Sequence, residues 1–171
     1  MAEASKPDAI ALLKADHREV EELFEKFEAA KGHAKKKALA EQICMDLTLH
    51  TKLEEDIFYP ACEGAVEEDL LKEGRVEHDA AKVLIAEIEA GGPDEAFYDA
   101  KVKVLSEMIN HHVKEEEKPG KGTFSQARSA GLDMEALGQQ MDAEKQQLKA
   151  AYEKEGLPAP ETPTLEATKL R

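Results

Sequence analysis

Four histidines and two glutamates stand where amphipathic helices ordinarily carry apolar side chains: His17, His50, Glu54, His78, His112 and Glu116. The stretches "HTKLEEDIFYP" and "HHVKEEE" each hold a histidine four residues before a glutamate. On a helix, residues i and i+4 are neighbours with Cβ atoms about 5–6 Å apart. A neutral imidazole offers a nitrogen lone pair, and a carboxylate offers oxygens that can bridge two cations. Such a pair can serve one metal ion or two adjacent ones. Left unpaired, each group costs roughly 1–3 kcal/mol to bury even when neutral. These faces carry no matching set of Lys or Arg. Bound cations would pair the carboxylates and use the imidazole lone pairs.

Taken singly, these signals are weak. A lone histidine on an apolar face is ordinarily a satisfied core residue. A lone His-x-x-x-Glu is ordinarily a solvent-side pair. The arrangement is what points to metal. His17 precedes His50 by 33 residues, and His78 precedes His112 by 34. The His50/Glu54 pair shifted by 62 lands on His112/Glu116, and "DHREVEELFEKFEAA" echoes "EHDAAKVLIAEIEAG" at an offset of 61. Each half therefore reads as a helical hairpin, with an acid–His on its first helix and His-x-x-x-Glu on its second. Either hairpin alone would expose an apolar face, so the two should pack together.

The helices that position these residues follow from apolar periodicity. The first runs from about 8 to 31, capped by Ser5 or Asp8 and ended by Gly32. Its face is Ile10, Leu13, His17, Val20, Phe24 and Phe27. The second covers about 34–60, and the third about 66–90, up to Gly91-Gly92-Pro93. The fourth starts after Pro93-Asp94 and reaches about Lys118. Its face (Tyr98, Val102, Leu105, Ile109, His112, Glu116) selects His112/Glu116 over His111/Glu115. His33 and His111 are expected at the surface, and Tyr98 in the core. At 1.5 Å per residue, His17 lies about 21 Å before the first interhelical turn and His50 about 24 Å beyond it, so the two come level. After the turn-rich loop "PGKGTFSQARSAGLD" a fifth helix fits about 133–155. The expected organisation is a bundle over residues 8–128 and a C-terminal helix over 129–156, packed on the bundle or extending from it. The proline-rich tail, 157–171, reads as disordered.

The bulk properties narrow the function. A chain of 171 residues suits one domain. A formal net charge of −14 excludes nucleic acid as the expected partner, because phosphate binding needs clustered cations. The run "HAKKKALA" is too short to reverse that. No stretch reaches the roughly 18 apolar residues of a membrane helix, and "MAEASKPDAI" has no secretory pattern. Cys44 and Cys62, if held by one helix, sit about 27 Å apart and cannot pair. Free thiols fit a cytoplasmic setting.

In this order, the motifs resemble those of the hemerythrin-like family, the HHE cation-binding domain. The matching pieces are "DHREVEELF" (His17), "HTKLEEDIFYP" (His50, Glu54), "EHDAAKVL" (His78) and "HHVKEEE" (His112, Glu116). The likeness covers about residues 8–128. It implies an all-α, up-down four-helix bundle, here with a short extra C-terminal helix. It also implies a cofactor of two non-haem iron ions (a di-iron centre) with a bridging oxygen species. By the resemblance, His17 and His50 ligate one iron, His78 and His112 the other, and Glu54 and Glu116 bridge them. Oxygen-carrying members hold a second histidine one turn from the ligand on the third helix. Here those positions are Gly74 and Lys82, so the iron near His78 is expected to have a more open shell. That argues against plain oxygen carriage.

The expected partner is dioxygen or a related small oxidant. Two competing readings keep the same site: an iron- or oxygen-responsive regulatory module without turnover, and a peroxidase-like or nitric-oxide-handling enzyme. No residue assigns a catalytic role. Ferritin-like bundles use Glu-x-x-His instead, and six N/O ligands suit two metals better than one tetrahedral zinc. Asp16 and Glu77, each beside a ligand histidine, either accept hydrogen bonds behind the ligands or lie on solvated faces.

Overall fold

The computed structural model describes residues 6–165. Its elements are α1 (Ala9–Ala29), α2 (His33–Leu53), a π-helical turn (Glu54–Phe58), α3 (Tyr59–Cys62), α4 (Glu68–Ala90), α5 (Tyr98–Glu117), α6 (Thr123–Ser129) and α7 (Met134–Glu155). Asp8 caps α1, accepting a hydrogen bond from the Ala11 N–H at 2.8 Å. The other expected cap, Ser5, lies outside the described residues. Gly32, at φ 91°, opens α2, a left-handed conformation that costs glycine nothing.

Two boundaries differ from the periodic reading. α5 begins at Tyr98, four residues beyond Asp94, because 92–98 is taken up by turns. The Glu95 N–H donates to Gly92 O at 2.9 Å and the Tyr98 N–H to Glu95 O at 3.2 Å. The expected loop after Pro119 contains α6, a short helix that buries Phe124 and Ala127. Seven residues are too few for a convincing period, and tertiary burial forms this helix.

α1 packs on α2 and α4 on α5, and the hairpins join through α1 beside α5 and α2 beside α4. This is the expected up-down four-helix bundle. α7 lies across α1 and α2. The contact is close enough that a Cβ on Gly138 would sit 2.7 Å from Pro7 O and 2.8 Å from Ala9 N. The apolar core is split in two. One cluster includes Leu13, Leu53, Phe58, Tyr59, Phe124 and Met141. The other includes Val20, Phe24, Leu47, Ile85, Leu105 and Ile109. Fully burying one such leucine or isoleucine contributes on the order of 1.5–3 kcal/mol.

The tail is corrected for residues 157–165, expected as disordered. Thr164 donates its N–H and Oγ1–H to Asp79 Oδ2 at 2.8 and 2.6 Å, and Lys82 Nζ donates to Glu161 O at 3.1 Å. Asp79 is a buried carboxylate; this segment supplies the donors to its Oδ2, and Lys82 donates to its Oδ1. Residues 166–171 lie outside the described residues. Cys44 and Cys62 are both buried and free. Among the described residues, no helix is long and apolar enough to cross a membrane.

Candidate metal centre

All six candidate ligands are buried, none more than 5% exposed, in a layer between the two apolar clusters. His17 on α1 and His50 on α2 bring their Nε2 atoms 3.2 Å apart. His78 on α4 and His112 on α5 do the same at 3.2 Å. In both pairs the ring centroids are 4.8 Å apart and the planes tilted by 58°. The internal repeat is thus a local two-fold relationship within the centre.

The carboxylates link the pairs. Glu54 places Oε1 2.6 Å from His50 Nε2, and Oε2 3.2 Å from His78 Nε2 and 3.7 Å from His112 Nε2. Glu116 Oε1 lies 2.6 Å from His112 Nε2 and 3.7 Å from His17 Nε2. Ligand atoms of His17, His50, Glu54 and Glu116 all fall within 4.8 Å of one another, as do those of Glu54, His78 and His112. His33 and His111 are exposed, as expected.

The donor set fits metal cations. Both oxygens of Glu54 and both of Glu116 are buried without a hydrogen-bond partner. The imidazole nitrogens lie near them but are not directed as donors. Buried carboxylates left in this way are costly, and a cation at the convergence point satisfies them together with the imidazole lone pairs. The metal-free electrostatics show the same demand. Burial, helped by the charge on His50, pushes His17 well below the ordinary imidazole range. Burial would also lower His50, but the Glu54 and Asp16 carboxylates outweigh it and raise it to about 10. Glu54 is driven up by burial, yet His50, His112 and His78 hold it well below the usual carboxylate range. Burial and the neighbouring Glu54 push Glu116 up.

Carboxylates behind the ligands turn three of the four histidines inward. Asp16 Oδ2 lies 3.2 Å from His50 Nδ1, and Glu77 Oε1 lies 3.3 Å from His112 Nδ1. Glu117 Oε2 lies 3.2 Å from His17 Nδ1. Its counterpart Glu55 stops 3.9 Å from His78 Nδ1, because Lys82 draws its Oε1 to 2.8 Å. Partners of this kind fix the tautomer and the ring orientation. Asp16 in turn receives Lys145 from α7 at 2.5 Å, and Glu117 receives Arg18. Sequence reading picked out Asp16 and Glu77, each of which serves the histidine across the hairpin, not its neighbour in the chain. It missed Glu55 and Glu117. The signal was there: each directly follows a linking glutamate, at 54–55 and 116–117.

Next to His78, where a more open shell is expected, stands Tyr59. Tyr59 stacks on His78, with centroids 5.4 Å apart and planes 14° apart, and its hydroxyl lies 3.5 Å from His78 Nε2. Gly74 makes this possible, because a Cβ there would sit 2.6 Å from the Tyr59 hydroxyl. At the matching place Phe124 stacks on His17, at 5.7 Å and 15°, without a hydroxyl. Lys82 is turned away, to Glu55 and Asp79. Away from Glu54 and Glu116, the four imidazoles and Val20, Leu47, Ile109 and Val113 enclose a space of about 10 Å³.

A helical bundle enclosing four imidazoles and two linking carboxylates defines a cation-binding protein. The chain belongs to the hemerythrin family, residues 8–119 matching the hemerythrin HHE cation binding domain. Its fold is similar to the crystal structure of a hemerythrin HHE cation binding domain-containing protein from Mycobacterium kansasii. That likeness has a TM-score of 0.73, covers 90% of this chain and 96% of the other, and comes with 20% identity. A DNA nickase from Nostoc sp. is 28% identical over 106 residues, covering 62% of this chain. The chain spans only 30% of that relative's length.

Proposed function

We propose that this protein holds two non-haem irons and binds, or reacts with, dioxygen or a related small oxidant. The observation that carries the reading is Glu54, which presents one oxygen to each histidine pair. In this reading His17 and His50 hold one iron and His78 and His112 the other. Glu54 and Glu116 would be shared between the two irons, and an oxygen-derived ligand would complete the centre. The iron pair, when bound, supplies electrons and a position for the oxidant.

The chain's own groups do the rest. Asp16, Glu77 and Glu117 orient three of the imidazoles. Val20, Leu47, Ile109 and Val113 exclude water from the enclosed space. In the metal-free protein Tyr59 keeps its proton, because burial and the charges on Glu116 and Glu54 raise its pKa well above that of an ordinary phenol. The His78 side therefore meets a hydroxyl and the His17 side a bare phenyl ring. That inequality favours reaction over simple reversible carriage.

Nucleic acid has no place in this reading, because a formal charge of −14 repels phosphate. Two free, buried thiols fit a cytoplasmic setting. The test is anaerobic ferrous loading, metal counting, and visible spectra after addition of dioxygen or peroxide. We expect two irons per chain and a new visible band. A single iron per chain, or spectra indifferent to both oxidants, would refute the proposal.

A further inference from the structure

We infer that Val113 is the gate through which small molecules pass between a surface cleft and the metal centre. The inference rests on the di-iron reading above. A cleft of about 540 Å³ runs along the α1–α5 seam, with Arg18, Glu21, Asn110, Val113 and Glu117 in its walls. The space of about 10 Å³ beside the four imidazoles is walled partly by Val20, Ile109 and Val113. Val113 is the residue common to both linings. It is 4% exposed and directly follows the ligand His112, so its backbone is fixed by the centre itself. Val113 and the remaining apolar wall, Val20, Leu47 and Ile109, belong to one packed cluster, and of these four only Val113 also borders the cleft. The opposite side is closed by Phe58, Tyr59 and Phe124.

The cleft also selects by charge. Arg18, Lys114 and Lys118 face Glu21, Glu115 and Glu117, so the opening is locally balanced on a chain with a formal charge of −14. A neutral or singly negative molecule meets no net repulsion there. The enclosed space takes about one water-sized probe. The ligand class is therefore the smallest molecules, and one of two or three heavy atoms enters only by pushing the walls apart. Passage there requires the Val113 side chain to be displaced, so its size should set the rate.

The test uses azide as the probe, by stopped flow, on iron-loaded, oxidised full-length protein whose metal content has been counted. Val113→Ala should speed azide binding about fivefold or more, and Val113→Ile should slow it about threefold or more, since each tenfold change is only about 1.4 kcal/mol of barrier. Val113 also lines the ligand's space, so the equilibrium constant should shift, but by less than either rate. The mark of a gate is association and dissociation rates that move in the same direction, with metal content unchanged. Rates indifferent to residue 113, or a changed equilibrium constant at one-sided rates, would overturn the gate alone. Two bound irons with no azide band even in the unsubstituted protein would overturn the open di-iron site and the gate with it.

Discussion

Tyr59 and His78 lie face to face, their ring planes within 14° and the phenol oxygen 3.5 Å from the imidazole Nε2. Phe124 and His17 repeat the stack at 15° without the oxygen. Two hairpins related by an internal repeat thus build a centre with unequal halves. Replacing Tyr59 by Phe removes none of the six ligands, so two irons should still bind, with a changed visible spectrum. Gly74→Ala should reproduce that change by displacing the hydroxyl and should cost about 1–3 kcal/mol through overpacking. Spectra of iron-loaded, oxidised variants decide the matter, and superimposable traces would remove the phenol from the centre.

Glu54 touches both histidine pairs, so its loss should be felt on both sides. Glu54→Ala should bind at most one iron per chain, and His50→Ala fewer than two. Elemental analysis after desalting measures this. Full stoichiometry in either variant contradicts the assignment.

Metal uptake should release protons. In the metal-free protein, Glu54 and Asp16 overcome burial and hold His50 up at about 10, against about 6.5 for an unfolded histidine. The His50 proton therefore stabilises the metal-free fold fully below about pH 6.5, and this contribution fades as pH rises through about 10. Metal needs the same nitrogen unprotonated, so its affinity must rise between about pH 6 and 8. Calorimetry in two buffers of different ionisation enthalpy counts the protons. No release at pH 7 would show that His50 carries none.

α7 should matter to the centre as well as to stability. Gly138→Ala would drive a Cβ into backbone atoms of residues 7–9 at 2.7–2.9 Å. A loss of about 1–3 kcal/mol is expected, lowering Tm by about 2–4 °C per kcal/mol in a chain of this size. Lys145→Met removes the cation on Asp16. It should weaken iron retention against a chelator by more than its effect on Tm explains. Unchanged release would make Lys145 a surface residue only.

The bundle and its six inward polar residues were legible because helical period and metal spacing are both local. His50/Glu54 and His112/Glu116 announce themselves at i, i+4, and the repeat supplies the upstream histidines. Tyr59 was not legible as a neighbour of His78. Its place depends on a missing Cβ at Gly74 and on a helical irregularity that leaves no mark in the apolar pattern. Phe124 was hidden because α6 is too short to show a period. Lys145 was hidden because its partner Asp16 is 129 residues away, and only packing brings them together. Thr164 lay in a segment whose prolines argued for disorder, while its buried acceptor, Asp79, sits on α4.

The π-helical turn at 54–58 has a consequence for the phenol. Its hydrogen bond runs from the Tyr59 N–H back to Glu54 O, a span of five residues instead of four, so the helix carries one surplus residue there. Each residue advances an α-helix by about 100°. Uninterrupted winding from Leu53 would swing Tyr59 round the axis and off the side that Glu54 faces. The chemistry offered to the His78 half is therefore written in chain length as much as in residue type: the surplus residue lets a tyrosine five places after Glu54 share its side, and winding the same residues as a regular helix would disarm that half while leaving all six ligands and Tyr59 itself in the sequence.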